Sequence, residues 1–176
     1  MTDRRTNILT AALELFAQEG YKSTTTAKVA KKAGVSEGLI FRHFENKEGL
    51  LRAIMEDGEQ QAASLFTAIT SETWPKEIIK KTINLAIDMS SSTEKAVFWK
   101  LQYKLKWELG FKNPEKTAPL HRVLTFAFTA MQYPNPSDEA HFLLIYLDGL
   151  ASRLFLVDGY DVNPQISFLY RKYNLD

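Results

Sequence analysis

TTAKVAKKAGVSEGLIFRHF, residues 25–44, holds two short helical runs on either side of Gly34. Thr25 is placed to cap a first helix that turns Val29, Ala30 and Ala33 to one side. Gly34 stops that helix after barely two turns and is free to take the left-handed conformation of a tight corner. Ser36 is placed to cap a second helix with Ile40 and Phe44 inward. Val35, Ile40 and Phe44 would pin this helix onto Ile8, Leu15 and Val29. The face left outward carries Glu37, Gly38, Leu39, Phe41, Arg42 and His43. A short helix held by one apolar edge, with small and polar groups outward, fits a major groove about 12 Å wide. The pattern reads as a helix-turn-helix.

Charge around this stretch agrees. From Lys22 to Lys47 there are six basic residues and two acids, a local excess of +4, although the whole chain carries only +1. The Thr25 and Thr26 hydroxyls lie at a helix N-terminus, where unpaired N–H groups and the positive dipole end favour a phosphate. Lys47 stands in the first turn of the next helix, and Lys28 and His43 would complete a clamp. Such contacts set register and give salt-dependent affinity without reading bases. Glu37 either accepts from a cytosine amino group or simply favours the helix dipole. Arg42 reads a guanine or holds a phosphate, and Arg4 and Arg5 form either a minor-groove arm or a frayed end.

Outward from this core, helical periodicity continues in both directions. Ile8, Ala11, Ala12, Leu15 and Phe16 line one face of a helix that Gly20 ends. Asn46 caps a fourth helix to about Thr70. Trp74-Pro75 opens a fifth to about Met89, and Glu94–Leu109 is the sixth. After a loop holding Pro114, a seventh runs from about Ala118 to Gln132, an eighth from Asp138 to Val157, and a ninth from about Pro164 to Tyr173. No segment alternates at period two for long enough to form a strand. The expected fold is all-α with about nine helices.

Only four of 21 aromatic residues precede residue 60, and all six prolines lie past residue 74. The expected organisation is therefore a helix-turn-helix DNA-binding module over 1–46 and a larger, aromatic-rich helical body over 47–176. The chain has 176 residues, is 45% hydrophobic and contains no cysteine, which excludes disulfides and thiolate chemistry. No apolar run approaches the ~20 residues of a membrane span, and the start lacks a signal-peptide pattern, so a soluble cytoplasmic protein is expected. There is no phosphate-binding glycine loop, and the three histidines (43, 121 and 141) share no motif. No metal, cofactor or catalytic activity is expected.

At Gly20-Tyr21, Thr24-Thr25, Val29-Ala30, Ala33-Gly34-Val35-Ser36, Gly38, His43-Phe44 and Lys47-Glu48, the sequence resembles the TetR family of transcriptional regulators over about residues 5–55. Leu147-Asp148-Gly149-Leu150 is similar to part of that family's eighth helix. The resemblance implies a homodimer on a palindromic double-stranded DNA operator, released by a small-molecule effector. Phe41 stands where the family commonly has tyrosine, so a phosphate hydrogen bond is lost. Leu39 replaces a small polar residue and suggests an apolar contact to a thymine methyl.

The resemblance also places a ligand cavity among the middle helices. Trp99, Tyr103 and Trp107 on the sixth helix, with His121, Phe126, Phe128 and Met131 on the seventh, suit an apolar or aromatic effector, or else are plain core. The eighth helix is apolar nearly all round and must be covered on more than one side. Leu143, Tyr146, Leu147, Leu150 and Leu154, with Ile166, Leu169 and Tyr170 of the ninth, are the expected dimer contacts across a two-fold axis. The alternatives are a helical small-molecule-binding protein without an operator, or an α-helical enzyme.

Overall fold

The computed structural model describes residues 3–110 and 114–175. Among them it is all-α, with nine helices: α1 (Arg4–Glu19), α2 (Thr26–Ala33), α3 (Glu37–Phe44), α4 (Lys47–Thr70), α5 (Pro75–Met89), α6 (Thr93–Glu108), α7 (Pro114–Ala130), α8 (Pro136–Leu156) and α9 (Asn163–Lys172). No helix among the described residues is long and apolar enough to cross a membrane.

Local chemistry sets most of these boundaries. Asp3 accepts from the Arg5 N–H at 3.2 Å and opens α1, so both Arg4 and Arg5 lie in its first turn. Thr25 accepts from the Lys28 N–H at 3.2 Å and opens α2. Gly34 closes α2 in the left-handed conformation, with φ 67°. Asn46 accepts from the Gly49 N–H at 2.7 Å ahead of α4. Ser92 caps α6 in the same manner.

Two expectations need correction. Ser36 occupies the N-cap position of α3 in extended conformation, but its side chain makes no cap hydrogen bond. Its carbonyl instead accepts from Leu39 N–H at 3.0 Å in a tightened first turn. The seventh helix starts at Pro114 rather than near Ala118. A first-turn proline is tolerated because its missing N–H has no helical acceptor there, so the proline read as a loop residue is a helix opener. Residues 111–113 of the expected loop lie outside the described residues.

The chain divides into two compact units, one of Met1–Gln61 with Ser92–Phe111 and the other of Ala62–Ser91 with Lys112–Asp176. In the first, Ile8, Ala12 and Phe16 of α1 meet Val29 of α2, Ile40 and Phe44 of α3, and Leu50 of α4. Leu101 and Leu105 of α6 complete this core. Two α6 side chains tie it down as well: Lys104 Nζ donates to the Gln18 carbonyl at 2.8 Å, and Glu108 Oε2 accepts from the Lys22 N–H at 3.3 Å.

In the second unit α5, α7, α8 and α9 enclose Ile78, Ile79, Ile83, Leu124, Phe128, Leu143 and Leu169. Phe128 stacks edge-on to Tyr133 at 5.0 Å and lies 5.2 Å from the Tyr173 ring. The Tyr173 hydroxyl donates to Glu139 at 2.8 Å, and Lys172 reaches the same oxygen at 2.7 Å. Burial pushes the Glu139 carboxyl upward, but the hydrogen bonds from Lys172 and Tyr173 outweigh it and hold the group below its ordinary value. Burial, then the Glu139 carboxylate, pushes the Tyr173 hydroxyl in the opposite direction, well above normal.

Candidate nucleic-acid interface

The candidate interface is built on α3. Ile40 is fully buried and Phe44 nearly so, and burying side chains of this size contributes roughly 1.5–3 kcal/mol each. That anchoring leaves Gly38, Phe41, Arg42 and His43 exposed, with Glu37 half-buried. Leu39 instead leans into the first unit's core, and Phe41, 45% exposed, is the large apolar group that α3 turns outward. Arg42 has no ion-pair partner among the described residues, so its guanidinium is available to a base edge or a phosphate.

The proposed phosphate ligands differ in what they have left to offer. Thr25 uses an oxygen lone pair to cap α2 and keeps its hydroxyl proton. Thr26 spends its only hydroxyl proton on Glu37 Oε1, so the donor it offers an anion is its backbone N–H. Lys28 is paired with Glu19 at 2.6 Å, and Lys32 with Glu14 at 2.8 Å, which reduces the excess positive charge of the module. Lys47 sits 4.2 Å above the Tyr21 ring and 3.5 Å from the Lys22 carbonyl, held in place with no carboxylate on it among the described residues.

Tyr21 is the contributor that sequence reasoning missed. It is 8% exposed, packs edge-on to Phe16 at 5.2 Å, and gives Lys47 an aromatic seat. Burial, with the charge of Glu48, pushes its hydroxyl up to about 12. The Gly20-Tyr21 pair was visible in the sequence, but its link to a lysine 26 residues later is a tertiary contact. Arg5 likewise lies over the Phe44 ring at 5.4 Å.

The residues expected to meet an effector divide between the two units. On α6, in the first unit, Trp107 is 72% exposed, whereas Trp99 and Tyr103 are half-buried. In the second unit Phe126 is 54% exposed, Phe128 fully buried, and Met131 packed against the core. His121 lies beside His141, with ring centroids 6.1 Å apart, and its Nε2 is 3.2 Å from the Ser137 carbonyl.

Of the residues expected at a dimer contact, Leu143, Leu147, Leu150, Ile166 and Leu169 are buried within their own unit. Tyr146, Leu154 and Tyr170 are partly buried against the same core, and Tyr170 accepts from Asn84 at 2.7 Å. The apolar groups that α8 and α9 leave at the surface are Phe142, Ile145 and Phe168, at 46, 61 and 47% exposure.

Residues 8–54, which include all of the α2–α3 corner, match the family model described as bacterial regulatory proteins, tetR family. Over these residues the chain is similar to the TetR family. The chain is 45% identical over 59 residues to the uncharacterised HTH-type transcriptional regulator YvkB of Bacillus subtilis. That match covers 34% of the chain and 31% of the relative, so the chain spans about a third of the relative's length. Its fold is similar to that of a TetR-like transcriptional regulator from Rhodococcus sp. RHA1, at TM-score 0.75 and 16% identity, covering 98% of this chain and 92% of that one. It is similar also to the transcriptional regulator FadR from Bacillus subtilis in complex with stearoyl-CoA, at TM-score 0.63 and 19% identity, covering 96% of each chain.

Proposed function

We propose that this protein is a ligand-responsive transcriptional repressor that binds a palindromic DNA operator as a homodimer and leaves it when a small-molecule effector binds. The observation that carries the reading is α3: Ile40 and Phe44 anchor it while Gly38, Phe41 and Arg42 face solvent. The DNA-binding module is residues 1–46, with Thr25, Lys28, Ser36, His43 and Lys47 around the groove-facing helix. The body, residues 47–176, carries dimerisation and effector binding. In the dimer, the two copies of α3 stand about 34–36 Å apart, one turn of DNA.

Surface chemistry supports a two-fold contact through α8 and α9. Phe142 and Ile145 on α8 and Phe168 on α9 are apolar groups left about half exposed in the protomer, with Lys172 over the Phe142 ring at 5.4 Å. An apolar or aromatic effector is supported by the FadR fold relative, which was solved with stearoyl-CoA. To release DNA, the effector must bind the two conformational states unequally; a coupling of about 1–3 kcal/mol lowers operator affinity about 5–150-fold.

The test is titration of fluorescent duplexes from the region upstream of the coding sequence, repeated across salt concentrations. Saturable, salt-dependent binding is expected. Lys47→Ala is expected to weaken every duplex alike and to lower the salt slope by about one. Absence of binding at low salt would overturn the regulator reading.

A further inference from the structure

Resting on the DNA-binding role proposed above, we infer that Glu37 is a specificity-determining residue that selects a cytosine in each operator half-site, aimed by Thr26 as its positioning residue. Glu37 opens α3, stands one turn before exposed Phe41 on the same face, and adjoins exposed Gly38, which adds no bulk beside it. Its Oε1 accepts the Thr26 hydroxyl proton in a short hydrogen bond between residues eleven apart in sequence. That bond joins the first residue of α2 to the first residue of α3.

An unanchored surface glutamate samples many rotamers and loses that freedom on binding. Glu37 is already tethered at one oxygen, which leaves Oε2 as a directed acceptor. What such an acceptor tolerates follows from the major-groove edges of the bases. Cytosine offers an amino donor alone, whereas guanine and thymine offer acceptors that repel a carboxylate. Adenine offers an amino group with the N7 lone pair beside it, so the carboxylate meets repulsion there as well. Cytosine is the base left. A negative charge in this position also lowers affinity for phosphate in general, so affinity and selectivity respond to its removal in opposite directions.

The experiment selects duplexes from a randomised pool with the full chain and with Glu37→Gln, Thr26→Val and Thr26→Ser. Affinities are then measured for the selected site and for versions carrying each other base pair at the cytosine position. The wild-type protein is expected to prefer cytosine at one position per half-site by about ten- to a hundredfold. Glu37→Gln is expected to move that preference towards adenine, whose N6 and N7 suit an amide, while binding unselected DNA more tightly. Thr26→Val should narrow the discrimination several-fold and Thr26→Ser restore it, with thermal melts matching the wild type throughout. Identical base preferences for wild type and Glu37→Gln would overturn the inference and leave the regulator standing. Unchanged discrimination in Thr26→Val would remove the positioning role. Failure of the wild type to enrich any sequence would overturn both readings.

Discussion

Glu72 closes the turn ahead of α5 by accepting from the Thr73 N–H at 2.8 Å and the Trp74 N–H at 3.0 Å, while Lys81 reaches it at 2.6 Å. The Lys81 hydrogen bond, followed by those two backbone donors, pulls its carboxyl from 4.5 down to about 2. A carboxyl depressed in the folded state stabilises above its unfolded value, and that contribution is lost as pH falls towards the folded value. Glu72→Gln is therefore expected to be less stable than the wild type at pH 6, with the gap closing between about pH 4.5 and 2. Urea midpoints across that range check it; a gap that stays constant with pH would mean the charge is not responsible. At this scale the sequence is a poor guide: nothing in its spacing pairs Glu72 with Lys81, or Thr26 with Glu37. Residue types and helix positions were legible, but partners are chosen by how separate helices approach.

Helices carry most of what could be read directly. Gly34 is the clearest case, because a stop after two turns demands a residue that accepts φ 67°. No atom lies within 4 Å of the position a Cβ would take there, so substitution meets only backbone strain. Gly34→Ala is expected to cost about 1–2 kcal/mol and Gly34→Asn less, measured by equilibrium unfolding. Gly58 lies within α4 and fails differently. A Cβ there would meet the Phe98 ring of α6 at 2.0 Å, so Gly58→Ala must displace Phe98 and is expected to cost about 1–3 kcal/mol. Gly58 interrupts no pattern in the sequence and gave no sign of this role. Pro114 was misleading for the opposite reason, since the same residue that breaks a helix interior also opens one.

The two compact units regroup the chain in a way its linear order conceals. Composition suggests a front module followed by a body, yet α6 packs its Leu101 and Leu105 against α1, within the first unit. The eighth helix shows the same lesson on its surface. An apolar pattern nearly all round announces that several sides are covered, without saying which side faces inward. Leu150 is 4% exposed and Ile145 61%. Leu150→Arg is therefore expected to unfold its unit, because an unpaired charge in that core costs several kcal/mol. Ile145→Arg is expected to keep the protomer's melting behaviour and to shift sedimentation from dimer to monomer. A still-dimeric Ile145→Arg protein would refute the proposed contact through α8.

Periodicity, caps and turn residues act over four or five positions, so the order of residues alone was enough to specify an all-α chain, the corner at Gly34 and the edge of α3 that must be buried. Those interactions are local and carry their own geometry. Which carboxylate meets which hydroxyl, which helix supplies the last wall of a core, and which apolar face remains uncovered depend on contacts between segments far apart along the chain. These emerge only when the packed helices bring such segments together, because burial is a property of neighbours rather than of any residue taken singly.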